Sequence, residues 1–301
     1  MNHDQLVAPH GKRIKLKDYD PSSTGKFKNK EGAQTKLRDD VARLAKYQDI
    51  LYAQNTHALL IIFQAMDAAG KDSAIRHVMS GVNPQGCQVY SFKQPSTEEL
   101  DHDFLWRAAK ALPERGRIGI FNRSYYEETL VVRVHQGLLD AQGLPPELVT
   151  KRIWKERFED IDNFELHLAR SGTQILKFFL NVSKEEQRRR FLARIDTPEK
   201  NWKFSLFDVK ERGFWNEYMT AYEEMLSHTS TETAPWHIIP ADHKWFTRAA
   251  VADIIVAKLK SLKSTYPVVE EAHKQELLKA KEQLENEDAR EKNSQDQATH
   301  G

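Results

Sequence analysis

The stretch "FQAMDAAGKDSAI", Phe63 to Ile75, sets a loop of small residues ending in Gly-Lys between two apolar segments. Such residues can make an anion site. Backbone N–H groups at a helix start, with the positive end of the helix dipole, attract a phosphate, and a lysine there reaches its oxygens. The common phosphate-loop pattern is G-x-x-x-x-G-K-[ST]. Here Ala65 stands for the first glycine and Asp72 for the hydroxyl residue that helps hold magnesium. Asp67 and Asp72 offer carboxylates instead, which are good ligands for a hard cation. Two acids beside a phosphate require a metal or abundant lysine and arginine, so the loop predicts a metal-dependent site with a strong cationic supplement. Taken alone, the pattern also fits an ordinary strand-to-helix turn with a surface lysine.

Two further clusters supply the cations. In "RIGIFNRSYYEETLVVRVH" (117–135) an apolar run ends in Asn122, Arg123, Ser124, Glu127 and Glu128. These residues would emerge at the carboxyl end of a strand, where ligands sit in open α/β sheets. Arg123 can make paired hydrogen bonds to phosphate oxygens, and Glu127 can bind a metal or a proton-bearing acceptor. The bland alternative is a surface ion pair between them. In "KEEQRRRFLARIDTPEKNWKFS" (184–205), Arg190 and Arg194 share one helical face, and Lys200 and Lys203 flank Trp202 beyond Pro198. A basic segment of this kind can close over an anionic substrate and exclude water; a solvated basic helix is the alternative. Basic residues beside an aromatic also occur in nucleic-acid binders, but no recognition module accompanies them.

The elements that must position these residues are legible from periodicity. "ALLIIF" (58–63) reads as a strand buried on both faces. Further strands are predicted at 87–92, 117–121, 174–182 and 236–241, with helices at 36–53, from Lys71, and at 97–112, 146–170 and 183–195. The alternation implies an α/β fold with a mainly parallel sheet covered on both faces. Residues 1–33 read as a solvated basic arm, 34–268 as the catalytic domain with a helical lid at about 183–225, and 269–301 as a charged helix fraying into disorder by about residue 288.

Composition narrows the function classes. The 301 residues include 45 Lys and Arg against 44 Asp and Glu, so whole-chain charge names no partner. One cysteine, Cys87, excludes an intramolecular disulfide and a four-cysteine zinc site. No segment has the length or apolarity of a signal peptide or membrane span. The expectation is a cytoplasmic protein with neither membrane nor nucleic-acid partner. None of the 12 histidines has zinc-site spacing. Cys87 reads as a small core residue, and Trp215, Tyr218 and Tyr222 as packing between lid and body.

Together the three clusters resemble the polyphosphate kinase 2 family over roughly residues 10–265. The resemblance is carried by "DAAGKD" (67–72), "NRSYYEE" (122–128), the lid segment "RFLARIDTPEKNWKFS" and the later "APW" (234–236). It implies a three-layer α/β/α P-loop kinase-like fold and magnesium, with manganese as the alternative cation. It also implies reversible phosphoryl transfer between inorganic polyphosphate and adenine nucleotides, with guanine as a further base, in a homodimer or homotetramer. Carried over by position, Lys71 and Arg123 neutralise the transferring group, while Asp67 and Glu127 hold the metal. Contacts to nucleotide and polyphosphate fall to Ala68, Ala69, Gly70, Asp72 and Ser73, to Asn122, Ser124, Tyr126, Glu128 and Arg133, and to Arg190, Arg194, Lys200 and Lys203. Glu127 resembles the class III pattern, which implies AMP as well as ADP as acceptor. Glu128 departs from it, since class III relatives often carry aspartate there. The competing readings are an ATP-dependent nucleoside monophosphate kinase, against which Ala65 and Asp72 count, and a non-catalytic polyphosphate or nucleic-acid binder.

Overall fold

The computed structural model describes residues 1–298, the side chains of Lys203 and of 288–298 excepted. Among the described residues the apolar runs become β1 (Ala58–Gln64), β2 (Cys87–Ser91), β3 (Ile118–Asn122), β4 (Thr173–Asn181) and β5 (Trp236–Pro240). They form one sheet in the order β2-β3-β1-β4-β5, each neighbour parallel. β1 is central and buried throughout, hence its unbroken apolar sequence. The register sets Phe63 of β1 beside Asn122 of β3. The segments that leave these two strands therefore emerge side by side.

The helices follow in chain order. They are α1 (Lys30–Gln54), α2 (Lys71–Val78), the single turns α3 (Thr97–Leu100), α4 (Trp106–Ala109), α5 (Val131–Val134) and α6 (Gly137–Asp140), then α7 (Ile153–Arg170), α8 (Lys184–Ile195), α9 (Leu206–Gly213), α10 (Trp215–Thr229), α11 (Lys244–Ser261) and α12 (Glu271–Ala298). α1 starts earlier than its apolar spacing suggests because Asn29 caps it, accepting from the Gly32 N–H at 3.0 Å. Asn55, left-handed at φ 51°, ends it. The helix expected over 97–112 breaks into α3 and α4. Between them the Asp103 side chain accepts from the Leu105 N–H at 2.9 Å, a local bond that competes with helix continuation. α11 packs on α1 and α2, α10 packs on α5 and α7, and β4 meets one helix of each group, α11 and α7. The layers are those of the expected α/β/α fold.

Two expectations need correction. The N-terminal arm is not solvated along its length: Leu6, Ala8, Ile14 and Leu16 are buried. The Ala8 N–H donates to the Trp236 carbonyl at 2.8 Å, and Val7 pairs with His237 in an antiparallel bridge. Ile14 and Leu16 N–H groups donate to Ser227 and Glu223 of α10. The arm thus covers the open edge of β5, a position where unpaired backbone groups would otherwise face outward. The second correction concerns the C-terminal segment. Contacts separate Met1–Thr265 from a unit that begins at Tyr266, and within the latter α12 runs past residue 288 to Ala298. Its composition is dominated by good helix formers. The end of the expected disordered tail, 299–301, lies outside the described residues. No described helix is long and apolar enough to cross a membrane.

One ion pair sits deep in the sheet. Lys177 of β4 donates to Glu165 at 2.6 Å, to the Tyr126 hydroxyl at 2.8 Å and to the Thr229 carbonyl at 2.7 Å. The hydroxyls of Tyr125 and Tyr126 both donate to Glu165 Oε1 at 2.8 Å. Both charges are essentially without solvent contact, so each depends on the other. Removing one partner of a buried pair costs about 3–5 kcal/mol, whereas an apolar replacement of both can be neutral. Glu165→Leu should therefore lower the urea unfolding midpoint sharply. Combining it with Lys177→Met should restore much of that loss, as measured by equilibrium denaturation.

Candidate active site

The carboxyl ends of β1 and β3 open into a cleft of about 1050 Å3. The turn after β1 carries Ala68 at φ 61° and Gly70 at φ 112°. Gly70 can adopt that angle freely, having no Cβ; Ala68 cannot without strain of about 1–2 kcal/mol. Arg123, immediately after β3, is also left-handed at φ 63°, and its N–H donates to the Phe63 carbonyl at 3.0 Å. Strain is thus held on both sides of the cleft, directly after the two strands whose register aligns them.

Lys71 opens α2. It is buried, and its Nζ donates to the Ala65 carbonyl at 2.8 Å. Burial, and then the nearby Arg123 charge, lower its pKa from the usual lysine value. Arg123 bridges two acids: its Nη2 donates to Asp67 at 2.7 Å and its Nη1 to Glu127 at 3.3 Å. Glu127, then Asp67, raise its pKa further, so it stays fully charged. Glu127 also accepts from Gln64 Nε2 at 3.0 Å. Asn122 donates to Asp72 at 2.7 Å, fixing that carboxylate. The first helical bond of α2 runs from the Ala74 N–H to the Gly70 carbonyl. The N–H groups before it have no helical acceptor, as at any helix start, and suit an anion.

Of the residues expected at the site, Asp67, Ala68, Gly70, Lys71, Asp72, Ser73, Asn122, Arg123, Arg190, Arg194 and Lys200 line the cleft. Others stand apart from the lining. Ala69 is buried in the loop. Ser124 is buried and caps the next turn, accepting from the Tyr126 N–H at 3.2 Å, while Tyr126 belongs to the Lys177–Glu165 cluster. Glu128 accepts twice from Gln142 Nε2, at 2.9 and 2.8 Å, and lies 3.3 Å from Arg157; burial raises its pKa. Arg133 pairs with Glu224 at 2.6 Å and stacks over Trp154. Glu127 is not in the lining, but it bonds to Arg123, which is. The side chain of Lys203 lies outside the described residues.

Part of the segment expected as a lid, about 183–225, belongs to the core. α10 packs Tyr218, Tyr222, Met225 and Leu226 into the core, with Tyr222 against Phe179. The exposed part runs from the end of α8 through α9, where Trp202, Leu206 and Phe207 are largely open to solvent. Trp202 and Asp208 nonetheless line the cleft. Burial and the charge of Asp67 raise the Asp208 pKa. Sequence reasoning missed Arg76, Lys93, Arg189 and Lys244, which add to the positive lining. Isolated basic residues on helices and turns carry no signal until the fold brings them together. Missed too was Arg248, whose Nη2 donates to Ser73 at 2.7 Å. Cys87 is partly buried, and burial pushes its thiol up to about 11, which suits a packing role.

Among the described residues no group of three or more His, Cys, Asp or Glu side chains is arranged to hold a metal. Magnesium bound with phosphates needs only one or two protein carboxylates, the remaining ligands being phosphate oxygens and water. Asp67, part-exposed in the cleft, meets that requirement. Glu127, with an oxygen on Gln64 and another on Arg123, is less free to do so.

The chain matches known proteins over most of its length. Residues 27–267 match the family model described as Polyphosphate kinase 2 (PPK2). An ADP-polyphosphate phosphotransferase from Rhodopseudomonas palustris is 54% identical over 281 residues, covering 93% of this chain and 97% of that protein. An AMP/ADP-polyphosphate phosphotransferase from Meiothermus ruber is 45% identical over 267 residues, covering 88% and 96%. The crystal structure of Polyphosphate Kinase 2 from Arthrobacter aurescens TC1 superposes with a TM-score of 0.82 at 38% identity, covering 91% of this chain and 94% of that one. A phosphate loop without its usual glycine and hydroxyl, an arginine facing it across the strand ends and a match spanning most of the chain agree: this protein belongs to the polyphosphate kinase 2 family.

Proposed function

We propose that the protein transfers a phosphoryl group from inorganic polyphosphate to AMP and ADP, with magnesium, forming ADP and ATP. The observation that carries the reading is the opposition of Lys71 and Arg123 at the ends of β1 and β3, inside a cleft lined with further lysines and arginines. Phosphoryl transfer calls for positioning and charge stabilisation more than for covalent chemistry. An attacking phosphate oxygen is already anionic near neutral pH, so this reaction needs no general base. Lys71 and Arg123 neutralise the equatorial oxygens of the group in flight. Asp67 would hold magnesium, which would add positive charge to neutralise the phosphates; manganese has the same preference for oxygen ligands. The segment carrying Arg194, Lys200 and Trp202 excludes water as it closes. The bond broken and the bond formed are both phosphoanhydrides, which makes the reaction reversible.

The two relatives described above differ in the acceptors their names give, ADP in one and AMP with ADP in the other. Glu127 supports the broader range. Glu128 supports it less directly, since its carboxylate is tied to Gln142 rather than aimed into the cleft. The cytoplasmic location and the homodimer or homotetramer expected from the family belong to the same proposal. Light scattering of the purified chain reads the assembly directly.

Two experiments test the activity. With long-chain polyphosphate, magnesium and no added ATP, AMP should yield ADP and then ATP, and ADP should yield ATP. Product from ADP alone would narrow the acceptor range, and product from neither would overturn the reading. EDTA should abolish turnover and added magnesium restore it. In the second, Lys71→Met should retain the wild-type circular dichroism spectrum. It should lower kcat by about 100-fold or more, the usual cost of removing one charge-stabilising donor.

A further inference from the structure

The phosphate loop is gripped from one side by a single helix. Gln187 and Arg190 lie three residues apart and so share a face of α8. Gln187 Nε2 donates to the Asp67 carbonyl at 3.0 Å. Arg190 Nη1 donates to the carbonyls of Ala68 at 3.0 Å and Ala69 at 2.5 Å. Its Nη2 donates to those of Ala241 at 2.5 Å and Asp242 at 3.0 Å, and its Nε to Glu186 at 2.7 Å. A guanidinium has five N–H groups, and protein acceptors take all of them. Arg190 is 6% exposed. Although it borders the cleft, it has no donor left for a phosphate, in contrast to the lid role its sequence position suggests.

In a trans peptide the carbonyl and the N–H of the next residue point in opposite directions. Holding the Ala69 carbonyl against Arg190 turns the Gly70 N–H away from it. Holding the Asp67 carbonyl against Gln187 does the same for the Ala68 N–H. The Ala69 N–H is already taken by the Met66 carbonyl at 3.2 Å. We propose that Gln187 and Arg190 are positioning residues that set the phosphate loop. They hold three successive carbonyls out of the anion site and leave the N–H groups leading into α2 aimed at it. They also keep Ala68 in its left-handed conformation, which an unsupported alanine would leave. Arg190 joins the loop to the turn after β5, so α8 up to this residue is part of the cleft floor. The segment that closes over the cleft starts beyond it.

This assignment depends on the polyphosphate reading for its substrate but not for its geometry, and the experiment separates the two. Gln187→Met, Arg190→Lys and Arg190→Gln are compared in the full chain. Amide hydrogen exchange over residues 66–74 is measured without ligand; kcat and KM are measured with polyphosphate and ADP. Exchange should quicken in all three variants. Misplacement of catalytic groups by about an ångström costs about 100-fold in rate, so kcat should fall on that scale for Arg190→Lys and Arg190→Gln alike. KM for ADP should stay within about twofold, because no uniform binding contact is lost. Retention of activity by Arg190→Lys but not by Arg190→Gln would overturn the proposal, since it would make the charge, not the fork of donors, the working feature. Unchanged exchange in Gln187→Met would overturn it as well, and that variant decides the matter if Arg190 substitutions fail to fold. Quickened exchange in the variants with no transfer by the wild type would leave the grip standing and refute the substrate assignment.

Discussion

Lys71 and Arg123 are like charges held close together, and the site depends on what lies around them. Burial disfavours the charge on Lys71 and Arg123 disfavours it further, while Asp67, Glu127 and Asp72 act in the opposite sense. Arg123 in turn stays charged because Glu127 and Asp67 flank it. The acids that seem out of place in a phosphate site are thus what allow two cations to share it. A phosphoryl group entering this cleft meets cations whose fields are only partly neutralised. Its own negative charge completes the balance in a partly desolvated space, where such interactions are strongest.

This arrangement requires that two segments distant in sequence be fixed to within a fraction of an ångström, and three layers of structure do so. Parallel register between β1 and β3 sets Phe63 and Asn122 side by side, and the Arg123 N–H bond to the Phe63 carbonyl locks the turn that follows. Beneath that turn, Tyr125 and Tyr126 end on Glu165, which is neutralised by Lys177. The buried ion pair contributes little net stability by itself; its effect is to tie the second motif to the centre of the sheet. On the far side of the cleft, α8 bonds to the loop's carbonyls. Lys71 and Arg123 are thus held by hydrogen bonds to the scaffold, whereas Trp202 and the start of α9 stand exposed.

Much of this was legible in the residues. The unbroken apolar run of β1 announced a central parallel strand, since only such a strand is covered on both faces. Gly70 and Lys71 announced an anion site, since the angle at Gly70 and the start of a helix are local properties. Arg123 was legible because it follows an apolar run in a chain of α/β alternation. The burial of the N-terminal arm was not: its apolar residues, Leu6, Ala8, Ile14 and Leu16, are sparse among lysines, and only the open edge of β5 explains why they fold back. The roles of Glu128 and Arg133 were also hidden, because a side chain's partner on another helix leaves no trace in its own neighbourhood.

The sequence by itself determined the sheet, the loop and the chemistry available to the loop. These rest on periodicity, backbone angles and residue type, which act over a few positions. Tertiary structure alone decided which cations stay available to the cleft and which serve the scaffold. Arg190 and Arg194 look alike on one helix, yet Arg190 finds five carbonyl and carboxylate acceptors within reach and Arg194 lines the cleft. That difference comes from acceptors supplied by the turns after β1 and β5, more than a hundred positions away on one side and about fifty on the other. A charge can be read from sequence, but what it neutralises depends on where the fold places its neighbours.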